Sequence, residues 1–124
     1  MDTNAIKDVI QTYFDACYEN SREKMKKVFH DPAHVYVRAE DGALKDWDKT
    51  TFVGFFSDSA TEEPKPSYPR SDKILSLDFI GEEAAVARVE LRIRDTAYTD
   101  ILCFMLLDGK WGVISKVYTE KPAE

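Results

Sequence analysis

At 124 residues the chain is the size of one domain and long enough to bury about two-thirds of its unfolded surface, so it needs no disulfide or metal staple. Hydrophobic residues make up 44% and charged residues 32%, a balance that excludes a disordered chain. A net charge of -6 with a pI near 5.0 excludes a nucleic-acid partner, because phosphate recognition needs a basic stripe.

The one local basic cluster, Arg22, Lys24, Lys26 and Lys27, reads as a solvated helix face near a helix C-terminus. Cys17 and Cys103 both fall in apolar patterns and are expected to be small buried hydrophobes. No disulfide framework is implied, which fits a reducing, cytoplasmic setting. The longest apolar run, Ile101 to Leu107, is too short to cross a membrane, and MDTNAIKDVI lacks the basic start and apolar core of a signal peptide.

Along the chain, Ile6, Val9, Ile10, Tyr13, Phe14 and Cys17 recur at three- and four-residue steps, which predicts an amphipathic helix over 4–19. Thr3 or Asn4 can cap it. Ser21 can cap a second helix through Phe29 that buries Met25, Val28 and Phe29, and Asp31-Pro32 stops it. Residues 34–40 alternate and predict a strand, with Val35, Val37 and Ala39 on one face. Asp41-Gly42 signals a hairpin turn into a return strand over 43–47. Asp46 or Asp48 caps a third helix expected to reach about residue 58, burying Phe52, Val53, Phe55 and Phe56, with Gly54 costing it about 1 kcal/mol against alanine.

Residues 59–71, punctuated by Pro64, Pro66 and Pro69, predict a loop able to act as a flap, with Tyr68 its one large side chain. From residue 73 onward the pattern is strand: 73–80, 84–94, 98–107 and 110–119, with turns at Gly81-Glu82 and Asp108-Gly109. Ala85, Ala87, Val89, Leu91 and Ile93 take one face of the second of these, and Arg88, Glu90, Arg92 and Arg94 the other, expected to lie outside. The closing KPAE reads as a frayed tail. Helices gathered toward one end of an antiparallel sheet mean α+β, a curved sheet wrapped around three N-terminal helices in one domain over 1–124.

Several segments then carry a resemblance. They are Phe29-His30-Asp31-Pro32-Ala33, the Asp41-Gly42 turn with Leu44, and above all Tyr98-Thr99-Asp100, Asp108-Gly109-Lys110-Trp111 and Lys116-Val117-Tyr118. With the element order, they make the chain resemble the nuclear-transport-factor-2-like superfamily, which includes SnoaL-like cyclases and ketosteroid isomerases, and within it the putative lumazine-binding family. The resemblance implies a conical pocket between sheet and helices and a homodimer through the outer sheet face. In that fold the core contains the pocket, so a few of Tyr13, Trp47, Phe52 and Tyr36 are expected to line it. His30, at a helix C-terminus, is expected to complement the dipole or bond a carbonyl, with the pocket mouth as the alternative, and Tyr68 lies on the flap.

Asp100 heads a strand whose next seven residues are ILCFMLL. An acid there either points to solvent at the strand end, as a structural ion pair or dimer contact, or sits in an apolar site, where burial makes it a candidate general acid or base. Lys116 lies on the partner strand. A three-residue loop at Asp108-Gly109 would set Asp100 opposite Tyr118 with Lys116 as its same-face neighbour, whereas a two-residue loop would put Asp100 and Lys116 on opposite faces. Both registers remain open at this point. His30 and His34 would share a helix face, but Pro32 breaks the helix between them, so no metal is expected. There is no G-x-S-x-G, no P-loop and no GxGxxG, so neither a serine-elbow hydrolase nor a nucleotide cofactor is expected.

Three functions fit. One is a binding protein for a small hydrophobic or aromatic molecule. The second is a cyclase- or isomerase-type enzyme moving a proton at a carbonyl, with Asp100 as acid or base and Tyr13 as hydroxyl donor. The third is a dimeric scaffold with a vestigial pocket.

Overall fold

The computed structural model describes residues 3–57 and 68–124, so most of the expected flap lies outside the described residues. Helix α1, Thr3–Glu19, buries Ile6, Ile10, Tyr13, Phe14 and Cys17 along the predicted stripe and ends where Asn20 turns left-handed at φ 56°. Ser21 caps α2, Arg22–Val28, by accepting the Lys24 amide.

Strand β1 runs Phe29–Arg38, five residues earlier than the alternation suggests, and Phe29 belongs to it rather than to α2. The reason is tertiary: Phe29 aligns with Val113 of the last strand, and the register with that strand shifts before resuming at His34. Asp31-Pro32 occupies the irregular stretch, where a residue without an amide proton is tolerated.

Strand β2, Leu44–Asp48, folds back on β1, and Asp48 caps α3, Lys49–Val53, by accepting the Thr51 amide. This helix is far shorter than the expected reach to residue 58. Phe55 and Phe56 make three-residue backbone bonds to Phe52 and Val53, and Ser57 is then drawn out to Asn20 and Arg22. Phe52 and Val53 are buried, but Phe55 is exposed, contrary to its predicted burial.

The long strands are β3 (Asp72–Ile80), β4 (Ala84–Ile93), β5 (Thr96–Leu107) and β6 (Lys110–Pro122). The six-stranded sheet has the order β2-β1-β6-β5-β4-β3, antiparallel throughout except for the β1–β6 pair. Half of the tail expected to fray, Lys121 and Pro122, is part of β6, and the Ala123 amide bonds the Asp95 carbonyl. The inner sheet face, with Val35, Ala85, Ala87, Val89, Leu102, Phe104 and Val113, packs on α1 and α2 in one buried cluster. The charged residues of β4 alternate with this face, as expected for the outer surface.

The β5–β6 hairpin closes at Leu107 and Lys110 through the two residues Asp108 and Gly109, with φ 50° and 76°. Positive φ at both centres is the turn whose twist matches the strands. Open space surrounds a Cβ built on Gly109, so only backbone strain opposes a side chain there. Gly109→Ala is expected to lower stability by about 1–2 kcal/mol in urea unfolding, the usual cost of left-handed backbone for an L-residue.

Candidate functional site

A two-residue loop alone would leave Asp100 and Lys116 on opposite faces. The structure joins them by a second device. Leu107 to Phe104 pair with Lys110 to Val113, but Cys103 then pairs with Ser115, so Ile114 is an extra residue on β6. This bulge shifts the register by one. Beyond it Leu102 faces Lys116 and Asp100 faces Tyr118, and all four point into the cone.

There Asp100, with no exposed surface, and Lys116, 5% exposed, meet Tyr13 from α1. Lys116 Nζ donates to Tyr13 Oη at 2.6 Å, the Tyr13 hydroxyl donates to Asp100 Oδ2, and Lys116 Nζ lies 3.7 Å from the same Oδ2. The ammonium is walled by aromatic rings: Phe52 at 4.5 Å, Tyr118 at 4.8 Å and Tyr13 at 4.9 Å. Burial, and then the charge of Asp100, push the Tyr13 hydroxyl well above its ordinary range, so it stays a protonated donor. Burial pushes the neighbouring Cys17 thiol up to about 12, against the opposing pull of Lys116, which leaves it a thiol. Asp100 Oδ1 is buried with no hydrogen-bond partner among the described residues. A buried acceptor with nothing bonded to it costs about 1–3 kcal/mol, and such exceptions mark sites of function or strain.

Of the residues expected to line a pocket, Tyr13, Phe52 and Lys116 come together with Asp100. Trp47 is on the inner face opposite Val35 but packs edge-on against Phe55 at 5.1 Å, without reaching the triad. Two placements are corrected. Tyr36 alternates with the buried Val35 and Val37, lies on the outer face, and stacks on His34 at 6.0 Å. His30 sits in β1 rather than at the end of a helix: its ring lies over Gly112, Nε2 bonds the Met105 carbonyl at 2.8 Å, and it borders a hollow with Asp31, Lys49 and Lys110. Cys103 is only half-buried, because it alternates with the buried Leu102 and Phe104 and so lies on the outer face beside Ser115.

Tyr118 escaped the sequence reading as more than a core aromatic, although the register that pairs it with Asp100 was one of the two alternatives. Its ring touches Lys116 and also lines a hollow of ≈ 620 Å³ with Val37, Arg38, Thr96 and Glu120. Burial, then Glu120, push its hydroxyl up to about 12. This hollow, which borders Tyr118 but none of the triad, is polar-rimmed. Among the described residues no group of three His, Cys, Asp or Glu side chains is placed to hold a metal.

Tyr68 joins a different cluster. Its ring meets Tyr18 edge-on at 5.5 Å and lies under Arg92 at 5.9 Å. Next to it Arg70 bridges Asp15 at 2.6 Å and Asp72 at 2.8 Å and stacks on Tyr18. These contacts fasten residues 68–72 to α1. Burial works against the Asp15 charge, but hydrogen bonds from Arg70 and Gln11 outweigh it and hold the carboxyl below its ordinary 3.8. A carboxyl lowered on folding stabilises the fold above its unfolded pKa and loses that contribution as pH falls through its folded one. Thermal unfolding followed from about pH 5 to pH 3 is therefore expected to lose stability more steeply for the wild type than for Asp15→Asn.

Among the described residues, three helices packed in a curved six-stranded sheet make the α+β cone of the nuclear-transport-factor-2-like class. The chain belongs to the putative lumazine-binding family, whose model matches residues 1–119. It is 29% identical over 115 residues to aldolase FrzH of Cladobotryum sp., covering 89% of this chain and 84% of that one. An NTF2-like protein of unknown function from Shewanella baltica OS155 superposes with a TM-score of 0.79 at 27% identity, over 96% of this chain and 93% of that one. Another, from Silicibacter pomeroyi DSS-3, gives 0.78 at 22% identity over 98% and 100%, a likeness of fold alone. No helix among the described residues is long and apolar enough to cross a membrane.

Proposed function

We propose that the protein binds a small carbonyl compound inside the cone and moves a proton at it, with Asp100 as the base. The observation that carries this is Asp100 Oδ1, a buried carboxylate oxygen with nothing bonded to it. Its other oxygen is already held by Tyr13, whose hydroxyl is held in turn by Lys116. The lone pair of Oδ1 is free to take a proton from the carbon next to a carbonyl and return it to that carbon or its neighbour. The Lys116 ammonium, 3.7 Å from the carboxylate, offsets the charge that develops on the substrate oxygen. The aldolase name of a relative supports chemistry at a carbonyl, and the lumazine name of the family supports a flat ring system as ligand.

The test is deuterium exchange at the α-carbon of 2-tetralone, cyclohexanone and phenylacetaldehyde, followed by proton NMR in heavy water. Wild type is expected to accelerate exchange, and Asp100→Asn to lower the protein-dependent rate by about 10²–10⁴-fold, the usual worth of a positioned base. Thermal unfolding checks that the variant is folded. Equal rates in the two proteins would remove Asp100 as base. Stabilisation by pterins or flavins without exchange would leave binding alone.

A homodimer through the outer sheet face accompanies this reading. Ile101 and Val117 are cross-strand partners on that face and both are exposed, as are Met105 and Ile80 nearby. Val117→Glu is expected to shift sedimentation velocity from dimer to monomer while leaving the helical circular dichroism unchanged.

A further inference from the structure

We propose that Lys116 is a nucleophile that forms an imine with the carbonyl carbon of the substrate. The proposal rests on the reading of the triad as a carbonyl site, and it makes aldehydes and ketones the substrate class. Three features of Lys116 point to it. Its amine is almost wholly removed from water, which is how proteins make lysine nucleophilic. It has a route for its proton: Nζ–H bonds to Tyr13 Oη, and the Tyr13 O–H bonds to Asp100 Oδ2. Tyr118, whose ring is 4.8 Å from Nζ, also lines the ≈ 620 Å³ hollow, so it is the side chain that must swing aside to admit a substrate from there.

The step balances within these groups. Lys116 gives a proton to Tyr13 as Tyr13 gives its own to Asp100, leaving a neutral amine, a hydroxyl and a carboxylic acid. For groups this deeply buried, a neutral set avoids the desolvation penalty carried by two charges. The amine adds to the carbonyl carbon and one of its protons moves to the carbonyl oxygen, giving a carbinolamine. Asp100, 3.7 Å from Nζ, returns the proton to the carbinolamine hydroxyl. The C–O bond breaks, water leaves, and an iminium on Lys116 faces a carboxylate. That cation acidifies the adjacent C–H, and Asp100 Oδ1 is the free base beside it. The aromatic rings around Nζ keep water from the iminium.

The test is reductive trapping: protein and phenylacetaldehyde are treated with sodium borohydride, then mapped by peptide mass spectrometry. Lys27 and Lys73, both largely exposed, serve as internal references for unselective labelling. Residue 116 is expected to be alkylated roughly tenfold faster than either reference, despite its burial. Tyr13→Phe, which interrupts the proton route without removing the amine, is expected to slow labelling at residue 116 but not at Lys27. Lys116→Arg tests the consequence for exchange: it keeps the positive charge, lacks the nucleophile, and is expected to lose α-proton exchange. Labelling that follows exposure and leaves Lys116 unmodified overturns the proposal. If exchange persists in Lys116→Arg and falls in Asp100→Asn, the base reading stands and the imine falls. An adduct at Lys116 with no exchange in any probe leaves the imine and removes the proton step.

Discussion

Replacing Lys116 with Met is expected to lower the unfolding free energy by about 3–5 kcal/mol, the usual cost of breaking one partner out of a buried ion pair. Met matches the lysine stem in length and apolar character, so packing against Phe52 and Tyr118 is largely retained. What is lost is the charge. Asp100, with no exposed surface, would keep one hydrogen bond from Tyr13 and no counter-ion. The double variant Lys116→Met, Asp100→Leu should recover most of that loss, because paired burial of apolar groups of similar size is often neutral or stabilising. Urea unfolding of the two singles and the double gives the coupling directly. A double variant that loses the sum of the two single losses would mean that the charges contribute nothing to each other. A double variant more stable than the wild type but inactive would mean that the triad costs stability and is kept for its chemistry.

Much of the fold could be read from the chain because most of its rules are local. The α1 stripe, the Ser21 and Asp48 caps, and the apolar face of β4 each follow from residues a few positions apart. The misses came where a distant strand overrode a local signal. Phe29 leaves the helix because Val113 is there to receive it, and Phe55 leaves α3 because Asn20 and Arg22 draw Ser57 away. The parallel β1–β6 pair, which joins the β1–β2 hairpin to the rest of the sheet, relates segments that no local pattern connects.

The candidate site divides the same way. Asp100, Tyr13 and Lys116 stand out as polar residues inside apolar periodicity. Whether they meet depends on Ile114, an ordinary apolar residue whose role as the extra member of a bulge leaves no mark in composition. Tyr36 was misplaced because alternation shows which residues share a face but not which face is inside.

Deleting Ile114 is expected to be more damaging than any single side-chain change in the hairpin. Without the extra residue, the ladder that leaves the Asp108-Gly109 turn would continue unbroken, and the remainder of β6 would slip by one position. A one-residue slip exchanges the two faces of a strand. Lys116 and Tyr118 would turn outward, and Val117 and Thr119 would turn in toward Asp100. The carboxylate would lose its ammonium, and β6 would also fall out of step with β1, where Val35 aligns with Lys116. Adding the broken ion pair, about 3–5 kcal/mol, to the loss of the Tyr118 and β1 packing leaves little of the 5–15 kcal/mol that a domain of ordinary stability has. The deletion is therefore expected to be unfolded or molten at 25 °C, seen as loss of near-ultraviolet circular dichroism. Ile114→Ala keeps the residue count and should cost far less, within the 2–5 kcal/mol of a large-to-small change at a half-buried site or below it. If the deletion instead folds and still exchanges α-protons, the bulge does not set the site, and the pairing of Asp100 with Lys116 must be maintained from α1 through Tyr13.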